Sequence, residues 1–95
     1  MRVPKTPGVY EVRYVDSDER LTIGKTGDLS HRVKDSLVKG KYPHSAGERI
    51  RAAEDVTILL VRWAETDRPA AAEEELHRLY QEQKGCLPKY TISTR

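Results

Sequence analysis

Residues 9–24 hold two strand-like runs with only a short polar turn between them. Val9-Tyr10-Glu11-Val12-Arg13-Tyr14-Val15 alternates with period two, setting Tyr10, Val12 and Tyr14 on one face and Val9, Glu11, Arg13 and Val15 on the other. Such alternation marks a half-buried strand. Asp16-Ser17-Asp18-Glu19 is the turn, and Leu21-Thr22-Ile23-Gly24 supplies the antiparallel return. Two β-runs this close make a hairpin the economical pairing.

The rest of the chain must pack on that hairpin. Asp28 stands where it can accept hydrogen bonds from the free amides of a helix's first turn. Leu29, Val33 and Leu37 follow at four-residue spacing as one apolar stripe, with Arg32 beside it and Gly40 as a stop. Lys41-Tyr42-Pro43-His44 reads as a loop, and Ser45 to Asp55 as a shorter helix with Ile50 and Ala53 inward. Val56 to Trp63 is apolar nearly throughout, which predicts a central strand covered on both faces. Pro69, tolerated in a first turn, starts a long helix capped by Thr66 or Asp67, with Leu76, Leu79 and Tyr80 inward and Gly85 at its end. The tail from Cys86 to Arg95 packs back as extended chain. The expected fold is α+β, a small antiparallel three-stranded sheet flanked by helices in the order β-β-α-α-β-α.

At 95 residues the chain is expected to form a single domain spanning 1–95, since folding units usually run to roughly 100–200 residues. Its one cysteine, Cys86, rules out an internal disulfide and fits a reducing cytosol, so the expected location is cytoplasmic. The N-terminus lacks the apolar stretch of a secretory signal. No run approaches the ~20 apolar residues that span a bilayer. Net charge is only +2, but it is unevenly spread: Lys25 to Arg51 holds seven Lys/Arg against three acids. A basic middle segment is compatible with phosphate binding, and equally with a solvated helix face.

Five short elements, in order, resemble a known signature. Gly8-Val9-Tyr10 looks like a GIY element, and Thr22-Ile23-Gly24 stands where the YIG element would be, with eleven residues between Tyr10 and Thr22. Lys25-Thr26, then Asp28-Leu29 and Arg32, resemble the run into a helix bearing an arginine. Glu73-x-x-Leu76 resembles a metal-binding glutamate on the last helix, and Pro88 follows it. The chain thus resembles the GIY-YIG nuclease superfamily over nearly its whole length. Three positions depart from the pattern: Thr22 replaces the second motif's tyrosine, Ser36 an aromatic or imidazole, and Thr91 an asparagine. These departures bear on catalysis more than on fold.

The resemblance implies a Mg²⁺-dependent (or Mn²⁺-dependent) endonuclease or nickase acting on DNA. It puts Glu73 on the metal, Arg32 on the scissile phosphate, and Tyr10 and Thr22 on neighbouring strands at the same site. One carboxylate suffices, because Mg²⁺ keeps most of its waters and takes one or two carboxylates plus substrate phosphate. A phenol can act as a base if a metal and an arginine lower its pKa, whereas the Thr22 hydroxyl is far too weak an acid. Lys25 and Lys34 are candidate phosphate contacts, and His31 a candidate proton carrier and nucleic-acid contact. On the residues alone, Glu73 is also a helix-favouring surface acid, Arg32 an exposed helical arginine and Tyr10 a strand aromatic. A second reading therefore stands beside the first: a catalytically degenerate module that binds nucleic acid or a protein partner without cleaving. With no separate DNA-reading domain, sequence specificity would be low unless a partner supplied it.

Overall fold

The structure, a computed structural model, describes residues 2–33 and 45–91. The predicted hairpin forms from β1 (Gly8–Tyr14) and β2 (Arg20–Thr26), paired antiparallel from Gly8↔Thr26 to Val12↔Thr22. The register then shifts between Val12 and Arg13, so Leu21 is the extra residue of a bulge and joins Val12 in the core. The third strand, β3 (Leu59–Glu65), pairs antiparallel with β1, which gives the sheet order β2-β1-β3.

The central strand is therefore β1. The apolar run from Val56 to Trp63 had predicted a central third strand, but β3 lies at an edge. The run is also shortened at its start. Asp55 accepts hydrogen bonds from the amide and hydroxyl of Thr57, and this winds Val56–Ile58 into a 3-10 turn that leaves Val56 and Ile58 exposed.

Cross-strand partners share a face, so Tyr10, Gly24 and Trp63 form one row and Val12, Thr22 and Val61 the next. That face carries the core. Tyr10 packs with Leu29 and Val33, while Val12 and Leu21 pack with Ile50, and Val61 touches both groups. Residues 29–33 are helical, and Asp28 caps them as expected through the His31 amide (3.1 Å). The amides of Leu29 and Ser30 go to the Thr6 and Pro4 carbonyls (2.9 Å each). The first-turn donors are thus satisfied within the protein. Leu37, Gly40 and the 41–44 loop lie outside the described residues. Helix α1 (Ser45–Ala53) buries Ile50, whereas Ala53 is exposed rather than inward.

Helix α2 (Pro69–Lys84) begins with proline in its first turn and ends at Gly85, whose φ of 77° and amide bond to the Gln81 carbonyl form a left-handed cap. Thr66 accepts from the Arg68 amide, but no side chain caps the helix itself. The buried face matches expectation at Tyr80 and departs from it at the two leucines. Leu76 and Leu79 are 37% and 40% exposed, while His77 and Tyr80 are 3% and 7%. The helix turns these polar-tipped rings inward because they complete the outer edge of β2. The Tyr80 hydroxyl accepts from the Arg20 amide (3.1 Å), and His77 Nε2 bonds the Ile23 carbonyl (2.8 Å). The tail covers the same edge, with the Tyr90 and Lys89 amides on the Leu21 and Arg20 carbonyls (2.7 and 3.3 Å). An exposed edge invites pairing with other chains, and here it is closed. No helix among the described residues is long and apolar enough to cross a membrane.

Candidate active site at the Tyr10 phenol

The Tyr10 ring leans from the central strand across Gly24 of β2. A Cβ built on Gly24 would fall on the phenol, 2.5 Å from Cζ. The other motif glycine is equally constrained, since a Cβ on Gly8 would strike the Ala64 carbonyl and the Leu29 side chain. Both positions need hydrogen where other residues carry carbon. Gly24 thus leaves room for the phenol above β2, and Gly8 for the close approach of β3 and Leu29.

Two charged groups meet the phenol oxygen. Arg32, one turn into the helix that Asp28 starts, and the Glu73 carboxylate on α2 both lie close enough to act on it electrostatically. Burial raises the Tyr10 pKa above its ordinary 10.0, Arg32 pulls it back, and Glu73 pushes it up again. The phenol therefore keeps its proton at neutral pH. Arg32 still has capacity to donate, because its Nε is buried without a hydrogen-bond partner among the described residues. Glu73 is recessed and pairs with Lys25 across 3.7 Å.

The residues proposed from sequence thus divide. Tyr10, Arg32, Glu73 and Lys25 come together. Thr22 is buried on the same face but further up β2, and its hydroxyl lies 3.4 Å from that of Thr91. It is not among the groups acting on the phenol. His31 is exposed, and its amide, rather than its ring, takes part in the helix cap. Lys34 and Ser36 lie outside the described residues. Sequence reading undervalued His77. It stands four residues after Glu73 and three before Tyr80, which is the spacing of one helix face. A stripe sought among Leu76, Leu79 and Tyr80 misses it.

A phosphate at this site would be held by side chains. Helix N-termini often bind anions through free amides, but here those amides are already used by Thr6, Pro4 and Asp28. As for a cation, the described residues hold no group of three or more His, Cys, Asp or Glu that could bind one. A closed zinc site is therefore not what these residues offer. A single recessed carboxylate fits a cation that keeps most of its waters and takes further oxygens from a phosphate.

The whole fold matches a solved structure, the GIY-YIG N-terminal endonuclease domain of UvrC from Thermotoga maritima, a point mutant bound to its catalytic divalent cation. The match has a TM-score of 0.59 and 25% identity, and covers 96% of this chain and 88% of that one. The chain has a GIY-YIG-like fold. No protein-family model and no curated protein matches the sequence. In GIY-YIG terms, the first motif delivers Tyr10 and the second delivers Gly24, the platform on which the phenol rests. The position of the second motif's tyrosine is occupied by Thr22, paired with Thr91.

Proposed function

We propose that this chain is a divalent-cation-dependent endonuclease or nickase that hydrolyses phosphodiester bonds in DNA. The observation that carries the reading is the meeting of three segments at one phenol: Tyr10 from β1, Arg32 from the first helical turn and Glu73 from the last helix. Likeness to an endonuclease domain bound to a divalent cation supports it. Glu73 would hold Mg²⁺ or Mn²⁺, which supplies Lewis acidity and a more acidic bound water. Arg32 presents a planar fork of donors to the phosphate and stabilises the charge that develops there. Tyr10 enters with its proton on, beside the Arg32 guanidinium, and can donate to a phosphate or water oxygen. If it works instead as a base, it must first lose a proton that burial retains, so activity would rise towards alkaline pH. The domain acts in the cytoplasm as one unit spanning 1–95, and a protein partner or the shape of the DNA supplies what specificity it has.

The second reading, a binding module without catalysis, is favoured by Thr22. Its hydroxyl is buried against Thr91 and offers no titratable group where a second phenol would stand. Plasmid nicking with Mg²⁺, with Glu73→Ala run beside the wild type, separates the two. Cleavage lost with Glu73 supports the nuclease. Salt-dependent DNA binding with no cleavage at any pH supports the binding module.

A further inference from the structure

The one carboxylate at the phenol already has a cation beside it. Lys25 Nζ lies 3.7 Å from Glu73 Oε1, with the glutamate side chain 16% exposed and the lysine 47%. Lys25 stands directly after Gly24, on the strand end that faces Glu73, so the backbone fixes where its ammonium begins. Counted together, Lys25, Arg32 and Glu73 carry a net single positive charge. A divalent cation arriving alone meets a carboxylate shared with an ammonium, inside a site that is already positive. A phosphodiester arriving alone meets an ammonium already engaged. Each ligand must therefore compete with one half of the Lys25–Glu73 pair.

We propose that Lys25 is an exchangeable counter-ion of Glu73: it neutralises the carboxylate in the resting protein and moves to the substrate phosphate when a divalent cation takes its place. This rests on Glu73 being the cation's ligand, as proposed above. The exchange is thermodynamic coupling between two ligands at one site, so each strengthens the other by the same factor. Lysine suits the role. Its ammonium is a compact charge on a flexible stem and can swing between two oxygens without a fixed fork geometry. An ion pair of this exposure is worth little and is therefore easily exchanged.

The test uses the whole chain with no nuclease readout. Mn²⁺ binding, followed by the loss of free-ion resonance signal, is compared for wild type, Lys25→Met and Glu73→Gln. Lys25→Met should bind Mn²⁺ about three- to tenfold more tightly than wild type. Equal or weaker binding by that variant overturns the proposal. Glu73→Gln serves a different purpose: if it binds Mn²⁺ as well as wild type, the assignment of the carboxylate to the cation fails. In EDTA, fluorescence anisotropy with a duplex oligonucleotide gives the second arm. Glu73→Gln should release Lys25 and bind DNA about three- to tenfold more tightly. In the Lys25→Met background most of that gain should disappear. A gain of the same size in both backgrounds shows that the two residues are not coupled and overturns the exchange.

Discussion

Tyr10 and Gly24 face each other across β1 and β2, and the phenol occupies the space that any side chain at position 24 would need. Gly24→Ala must therefore push the ring away from Arg32. Overpacking of this kind costs typically about 1–3 kcal/mol, and for a chain of this size each 1 kcal/mol lowers Tm by roughly 4–8 °C. The double variant Gly24→Ala/Tyr10→Leu should recover much of the stability and none of the nicking. Thermal melts beside plasmid assays would show whether the two readouts separate in this way.

Arg32 and Glu73 should be needed for cleavage rather than for folding, since neither belongs to the apolar core. Removing one preorganised charge-stabilising group typically costs about 10²–10³ in rate. Arg32→Lys should lose nearly as much as Arg32→Ala, because an ammonium cannot reproduce the planar fork. Thr22→Ala, by contrast, should change the rate less than about threefold. Far-ultraviolet dichroism that stays native in these three variants and in Glu73→Ala completes the comparison.

The Tyr10 phenol titrates above its ordinary 10.0, chiefly through burial. The folded state thus prefers the neutral form. Its contribution to stability is whole below pH 10 and is lost as pH rises through the folded value. Ultraviolet difference titration of wild type against Tyr10→Phe should reveal a phenol with a midpoint above 10, and Arg32→Leu should raise that midpoint further.

Glu54 sits at the opposite pH extreme. Lys89 (2.8 Å), Tyr90 (2.7 Å) and Tyr14 (2.9 Å) all hydrogen-bond its carboxylate. These bonds, that of Lys89 foremost, lower its pKa from 4.5 to about 2. A lowered carboxylate pKa stabilises the fold above the unfolded value. That contribution drains away as pH falls from 4.5 towards about 2. Melting temperature measured through this window should fall less steeply in Glu54→Gln, which begins less stable at neutral pH.

Gly85 ends α2 with a φ of 77° and open space around a Cβ, so only backbone strain opposes a substitution there. Gly85→Ala should destabilise the protein by about 1 kcal/mol. Cleavage at temperatures well below the melt should be unchanged, and urea titration would measure the loss.

Local chemistry made much of this legible in advance. The alternation around Tyr10 and Val12, the Asp28 cap and the Gly85 stop are each settled by a residue and its immediate neighbours. The misreadings came where one element's preference depends on another. An apolar run at Val56–Trp63 promised a central strand, but Asp55 and Thr57 redirected its first residues. Leu76 and Leu79 promised an inward face beside Tyr80, but β2 needed hydrogen bonds at Arg20 and Ile23; Tyr80 turned inward as expected, and His77 took the place of the leucines. The candidate site came from an ordered motif rather than from periodicity, and nothing local in the sequence announces that Lys25 meets Glu73.

The groups gathered at the phenol are drawn from positions 10, 32 and 73, and the carboxylate rides on α2, the last helix of the described chain. A ribosome therefore releases the hairpin and the arginine well before the acid that would complete them. A nascent or clipped chain lacking α2 has the glycines, the ring and the guanidinium, but not the carboxylate proposed to hold a cation. Cutting power would be withheld until synthesis has passed the final helix and the fold has closed upon it.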